Sequence, residues 1–388
     1  MQYRVNPKNN DKLSILGFGC MRLPRDEEEA YRQLRYAIDN GVNYFDTAYI
    51  YQGNEIALGK ALSRTGRRDE IKIATKIPHY SIKSTEDMER IFTSQLERLQ
   101  TSFIDYYLIH MLSDVKVWDR LSRLGAAAWL EEKKKCGKIK NIGFSYHGGR
   151  QDIISLLDIY DWDFCMIQYN YLDESNQAGK TGLLYASSKA VPVMVMEPLR
   201  GGKLVDSLPK EVYQIFRQAN PSRTPAEWAL RWIWNHKEVA TALSGMNSME
   251  MLKENIRIAN DAKADEFTAE DEAMFKKVRE ILLKTIKVPC TGCGYCLPCP
   301  NGVDIPVCFS CLNDIAIEGG FNAFLKYLMQ TTMRSEPINA SRCVKCGRCE
   351  KKCPQAIPIM KSLEQAAKSL EPFFYKPAAY IIKKYMKL

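Results

Sequence analysis

At 388 residues, with 46% apolar and 26% charged residues, the chain has the composition of a soluble globular protein with room for one large domain and a smaller one, far from the disordered class. No run of about 18 consecutive apolar residues occurs, so no membrane span is expected, and the opening MQYRVNPKNNDKLSILGFG lacks the apolar core and cleavage site of a secretory signal, which makes the cytoplasm the expected compartment. The net charge of +9 suits an acidic partner, but the basic residues are spread along the chain without a nucleic-acid motif, so no nucleic-acid partner is expected.

From the start to about residue 260, short apolar runs alternate with helical patterns, the signature of a parallel sheet covered by helices. Eight runs can be counted: LSILGFG, NYFDTA, IKIATKI, DYYLIHML, KNIGFSYH, FCMIQYN, VPVMVMEPL and VATALSGM. Eight closes a β/α barrel. An open doubly wound sheet is the alternative, but Gly17 and Gly19 in LGFGCM lack the third glycine of a dinucleotide fingerprint. A helix is predicted over residues 267–287, with Thr268 as cap and acids in its first turn; it is expected to cover the barrel and lead into a cysteine-rich region. The expected division is therefore residues 1–287 as a barrel and 288–388 as a second domain. The last stretch, SLEQAAKSLEPFFYKPAAYIIKKYMKL, has no acid beyond Glu371. Such a basic amphipathic tail suits either a membrane surface or its own domain, and packing back on its own domain is the expectation.

In a barrel, functional side chains belong at the C-terminal strand ends. Polar residues stand there on consecutive strands: Asp46, Lys76, His110, Ser145, and Gln168 through Asn170, with Tyr51 on the loop after Asp46. A free tyrosine is a weak acid at neutral pH. A neighbouring ammonium stabilises its conjugate base, and a carboxylate holds that ammonium charged. Asp46, Tyr51, Lys76 and His110 thus suit proton delivery to an oxygen that becomes an alkoxide while hydride reaches carbon.

These residues resemble the aldo-keto reductase family. GVNYFDTAYIY is similar to its second-strand motif, IATK to its lysine strand, and TSQLERLQTSFIDYYLIH to its helix and histidine strand, over roughly Leu13 to Leu283. The resemblance implies a TIM (β/α)8 barrel, NAD(P)H bound without a Rossmann fold, and reversible reduction of a small carbonyl or alcohol substrate with Tyr51 as general acid. It also implies that Ser145 and Gln168 hold the carboxamide, that Gly201 and Gly202 let backbone approach the pyrophosphate, and that Gly245, Glu254 and Asn255 bind the adenosine end. Met196 stands where many members carry an aromatic, Met166 stands at the usual glutamine position two residues before Gln168, and Gly245 and Met251 stand where NADPH-preferring members carry Lys and Arg. The choice between NADH and NADPH stays open.

Of 13 cysteines only Cys20, Cys136 and Cys165 precede residue 290. Cys290, Cys293, Cys296 and Cys299 form C-x2-C-x2-C-x2-C-P, and Cys343, Cys346, Cys349 and Cys353 form C-x2-C-x2-C-x3-C-P. This repeats a ferredoxin motif in which the remote fourth cysteine ligates the other cluster. Two 4Fe-4S clusters are expected, one on Cys290, Cys293, Cys296 and Cys353, the other on Cys343, Cys346, Cys349 and Cys299. Paired zinc ribbons are the alternative. The helical stretch between the motifs resembles the α-helical ferredoxin domain of quinone-linked dehydrogenases, so the expected fold is a barrel followed by a mainly α-helical ferredoxin-like domain. Cys308 and Cys311 read as buried thiols or alternative ligands.

The expected activity is that of an oxidoreductase. Hydride transfer moves two electrons and each cluster one, so coupling would call for a carrier of both modes such as a flavin, of which no motif is seen; an external ferredoxin or flavoprotein is the expected redox partner. The alternative is an electron-transfer subunit whose barrel docks a partner or senses cofactor.

Overall fold

The computed structural model describes residues 1–148, 152–175, 177–332 and 337–386. Among these the chain divides into two compact units, Met1–Leu199 with Ala226–Thr268, and Arg200–Pro225 with Ala269–Leu388.

The first unit opens with a hairpin that the strand pattern did not reveal: β1 (Tyr3–Val5) pairs antiparallel with β2 (Lys12–Ser14). LSILGFG is therefore two strands. The Ser14 hydroxyl donates to the Leu16 carbonyl at 2.7 Å, and the Trp234 indole donates to the Ile15 carbonyl at 2.8 Å, so the chain turns at Ile15 before β3 (Leu16–Gly19). The remaining strands are β4 (Tyr44–Asp46), β5 (Lys72–Pro78), β6 (Ile104–Leu112), β7 (Ile139–Tyr146), β8 (Phe164–Gln168), β9 (Val193–Met196) and β10 (Val239–Ser244). All pair in parallel, and β10-β3-β4-β5-β6-β7-β8-β9 close on themselves. Both faces of such strands are buried, which is why they read as apolar runs rather than as alternations.

The covering helices are set by their ends. Helix Glu27–Asp39 starts where Asp26 accepts from the Glu29 amide at 2.8 Å, and it buries Ala30, Leu34, Ala37 and Ile38. It ends before Gly41, whose φ of 87° and lack of a Cβ are both used, because a Cβ there would stand 2.6 Å from the Tyr3 hydroxyl.

Alternation inside the barrel builds the floor of the site. Tyr44, Ala74, Tyr106, Leu108, Phe164, Met166 and Met194 point inward, join Leu13 and Leu243 in one apolar cluster, and fill the barrel with no room for a pore. Tyr106 packs edge-on against Tyr44 and Phe164 with ring centroids 5.2 and 4.9 Å away. Two residues further along the same strands, the same face carries Asp46, Lys76, His110 and Gln168.

The second unit is helical. Helix Ala269–Thr285 packs Phe275 against Phe216 of helix Lys210–Ala219, ring centroids 6.0 Å apart, and the chain then enters the cysteine-rich part. Helices Ile305–Glu318, Gly320–Thr332, Ile359–Leu370 and Tyr375–Met386 enclose one core that includes Val303, Phe309, Leu312, Tyr327, Ile357 and Leu363. Cys308 and Cys311 are fully buried in that core. Burial pushes the Cys308 thiol well above its ordinary range. The tail is divided: Tyr375, Ala378 and Ala379 pack inward, while Phe373, Tyr380 and Ile381 are exposed. Residues 387–388 lie outside the described residues.

Candidate active site and cysteine centre

The C-terminal rim of the barrel gathers the predicted polar residues. Asp46 is the last residue of β4; β5 and β6 run two residues beyond Lys76 and His110. The Lys76 ammonium donates to Asp46 Oδ1 at 2.5 Å and to the Thr47 carbonyl at 2.7 Å, with both partners almost fully buried. The loop after β4 folds back, the Tyr51 amide donating to the Ala48 carbonyl at 3.0 Å, so that the Tyr51 ring comes within 5.5 Å of Lys76 Nζ. The His110 ring stands perpendicular to it, centroids 6.1 Å apart. Four side chains from two adjoining strands, a loop and a third strand thus converge.

Burial raises the Asp46 carboxyl above its ordinary value, against the pull of Lys76. Burial also penalises the Lys76 charge, but Asp46, and after it Tyr51, outweigh that and carry Lys76 above its ordinary value. Lys76 is therefore an ammonium at neutral pH. His110 is held well below its ordinary value by burial, then by Lys76 and His147, and is a neutral imidazole.

Other elements brace the lysine strand. Thr75 donates to Glu55 Oε1 at 2.7 Å, Gln95 donates to the same oxygen at 2.9 Å and to the Lys76 carbonyl at 3.2 Å, and Tyr107 donates to Gln95 Oε1 at 2.8 Å. Glu55 sits on helix Asn54–Thr65, held close to its neighbour because a Cβ at Gly59 would meet the Arg98 carbonyl oxygen at 2.2 Å.

Around the rim, Ser145 accepts from the Met111 amide at 2.9 Å. Gln168 donates to Asp173 Oδ2 at 2.8 Å and accepts from Gln177 at 2.7 Å, and Asn170 donates to the same Asp173 oxygen at 3.0 Å. Met166 belongs to the apolar floor, so Gln168 is the amide at the rim. Asp173 and Gln177 were not singled out in the sequence, because their roles depend on how the loop after β8 returns. His147, just past β7, was also missed, although its place after a barrel strand is a signal. Its enclosure holds it down to about 4, with Gln177 pulling up and Lys76 pushing further down.

Asn255 donates to Ser244 Oγ at 2.9 Å, and Ser248 caps helix Met249–Asp261 by accepting from the Met251 amide at 3.3 Å. Gly245 is exposed, and a Cβ there would make only ordinary contacts, 3.8 Å from an Arg22 guanidinium nitrogen and 3.9 Å from the Gly19 carbonyl oxygen; Glu254 is half-buried one turn along that helix. Gly201 and Gly202 belong to the second unit. There they take φ values of 67° and 93°, Arg200 donates to the Pro289 carbonyl at 3.0 Å, and Lys203 donates to Ser310 Oγ at 2.6 Å.

The two cysteine motifs repeat in backbone as well as in sequence. Gly292 and Gly294 have positive φ around Cys293, and Lys345 and Gly347 have positive φ around Cys346; Gly302 and Ala356 match three residues after Cys299 and Cys353. The Lys345 amide donates to Cys343 Sγ at 3.4 Å. Cys290, Cys293, Cys296 and Cys353 line one small cavity whose other walls include Ile305, Phe309, Ile357 and Ile359. Cys299, Cys343 and Cys349 are half-buried against the same core, and Cys346 is exposed. Among the described residues no three His, Cys, Asp or Glu side chains close on a point that one ion could occupy. A donor set of four thiols around an apolar-walled cavity fits a cluster larger than one ion.

The aldo/keto reductase family model matches residues 15–279, more than half of the chain, and covers every strand of the barrel from β3 to β10. The chain belongs to the aldo/keto reductase family. A second model, described as a 4Fe-4S dicluster domain, matches residues 289–357. The L-galactose dehydrogenase of Arabidopsis thaliana is 28% identical over 301 residues, covering 70% of this chain and 93% of that protein. Aldo-keto reductase yakc [NADP(+)] of Schizosaccharomyces pombe is 32% identical over 152 residues, 35% of this chain and 43% of that protein. The solved aldo-keto reductase of Bacillus halodurans in its holo form is 29% identical with a TM-score of 0.61, covering 72% of this chain and 96% of that chain. An aldo/keto reductase barrel that carries a C-terminal cysteine-rich domain is thus the architecture of this oxidoreductase.

Proposed function

We propose that the barrel interconverts a small carbonyl and its alcohol with NADH or NADPH, and that the C-terminal unit carries two 4Fe-4S clusters. The observation that carries the first half is the convergence of Asp46, Lys76, Tyr51 and His110 at the strand ends. Bound nicotinamide supplies or accepts the hydride at carbon. The Tyr51 hydroxyl gives its proton to the substrate oxygen as negative charge builds there, and the Lys76 ammonium stabilises the charge left on the phenol. Asp46 and the Thr47 carbonyl keep that ammonium charged and aimed. A neutral His110 orients the substrate oxygen by a hydrogen bond.

Ser145 and the Gln168 amide are the proposed carboxamide partners, each already held by a neighbour. Gly245, Glu254 and Asn255 are proposed for the adenosine end, next to the capped N-terminus of helix Met249–Asp261. The NADP(+) in the name of the yeast relative supports nicotinamide use.

Cys290, Cys293, Cys296 and Cys353 would hold one cluster, and Cys299, Cys343, Cys346 and Cys349 the other. The shared cavity lining of the first four supports the crossed pairing. Around the second motif Cys346, Lys345, Arg348, Lys351 and Lys352 are all exposed, which suits an acidic one-electron carrier such as a ferredoxin or flavoprotein.

The test is an anaerobic assay over a panel of aldehydes and ketones with NADH and NADPH. Tyr51→Phe is expected to lose about 10²-fold or more in turnover while dinucleotide binding, read by fluorescence, persists. Equal turnover in the variant would sink the assignment.

A further inference from the structure

Helix Gly320–Thr332 and the last helix, Tyr375–Met386, with the two residues before it, leave a ridge of apolar side chains uncovered. Helix Gly320–Thr332 turns Ala323, Tyr327 and Leu328 into the core and presents Phe321, 72% exposed, and Leu325, 41% exposed, on its other side. Phe324 lies 5.4 Å from Phe374, ring centroid to centroid, and Phe374 lies 5.2 Å from Phe373, which is 94% exposed. Tyr380 and Ile381 stand exposed on the following helix, whose opposite side supplies Tyr375, Ala378 and Ala379 to the core. The ridge therefore spans two elements whose inner faces are already committed. Exposed apolar side chains scattered singly are ordinary; a contiguous group is a docking surface.

Charge selects the occupant. From Pro372 onward the sequence holds Lys376, Lys383, Lys384 and Lys387 and no acid. The acid just before it, Glu371, accepts from Tyr327 at 2.6 Å, from Asn339 at 2.9 Å and from the Ser341 amide at 3.0 Å, so it is engaged with the protein. A second copy docked ridge to ridge would bring two acid-free lysine tails together. A side chain 94% exposed, by contrast, suits a medium that accepts it without a shaped pocket. We propose that this face binds an anionic lipid surface, Phe321, Phe373, Tyr380 and Ile381 entering the interface and the exposed Lys376 meeting the headgroups. This is the behaviour of an interfacial amphipathic segment, which lies on a bilayer and does not cross it.

The experiment is co-sedimentation of the full-length, anaerobically purified chain with phosphatidylcholine vesicles, with and without phosphatidylglycerol, at low and high salt. Binding is expected only with phosphatidylglycerol and is weakened by salt. Lys376→Glu should lower the partition at least about fivefold, and the Phe321→Ser/Phe373→Ser double variant should abolish it, with helix content and cluster absorbance unchanged. Failure to sediment with anionic vesicles overturns the proposal. So does sedimentation that the double variant leaves intact, or a dimer in sedimentation velocity that the double variant dissolves.

Discussion

Lys76 is the residue on which the barrel site turns, because its ammonium is almost fully buried and its partners are one carboxylate and one backbone carbonyl. Removing one member of a buried pair leaves the other charge uncompensated, whereas removing both leaves little behind. Lys76→Met is therefore expected to abolish carbonyl turnover and to lower stability by about 3–5 kcal/mol. Adding Asp46→Asn should return part of that stability and none of the activity. Urea unfolding followed by tryptophan fluorescence measures this, since all six tryptophans lie in the first unit. A double variant no more stable than the single one would show that the pair is not what sets the cost. Asp46, Lys76 and His110 could be recognised in the sequence because each is a polar residue at, or within two residues of, the end of an apolar run. The Thr47 carbonyl and the Glu55–Thr75–Gln95 brace could not, since backbone acceptors and contacts across twenty and forty residues leave no local pattern.

At the scale of elements, three imidazoles sit at or near the C-terminal ends of β5, β6 and β7. Burial and neighbouring cations hold His79 and His147 down to about 4, and His110 well below its ordinary value. An unfolded histidine takes up its proton near 6.5. As pH falls below about 6.5 the unfolded chain binds protons that the folded chain refuses, so stability is constant above that pH and is lost progressively toward pH 4. Asp46, raised by burial, opposes this at the acid end of the window. Tryptophan-detected thermal unfolding of the first unit should therefore show its midpoint falling between pH 6.5 and 4, with His147→Asn flattening the fall. A midpoint independent of pH across that range would refute it. The strands were legible because strands buried on both faces must be continuously apolar. The β1–β2 hairpin and the break at Ile15 were not, because three-residue strands are too short for a period to show.

For the whole molecule the central question is how the two cysteine motifs would divide their ligands between the two proposed clusters. If Cys353 serves the first motif, Cys353→Ser should resemble Cys290→Ser in its electron paramagnetic resonance spectrum and should differ from Cys349→Ser, with iron falling by about half in each. Resemblance of Cys353→Ser to Cys349→Ser would mean that each motif holds its own fourth ligand. The four-cysteine lining of one cavity favours the crossed arrangement.

By itself the sequence determined the eight barrel strands, the order of polar residues along their ends, and the repeat of cysteines with a fixed spacing. Each of these is a local property, written in the alternation of apolar and polar residues or in the reach of a short turn. Only the tertiary structure decided that Tyr51 returns over Lys76, that Gln168 rather than Met166 reaches the rim, and that Cys353 joins Cys290 around one cavity. It also grouped Arg200–Pro225 with the cysteine-rich part and left Phe373 bare on a tail whose other side is packed. Those outcomes depend on which distant surfaces meet when the chain buries its apolar area, and no window of sequence contains both partners.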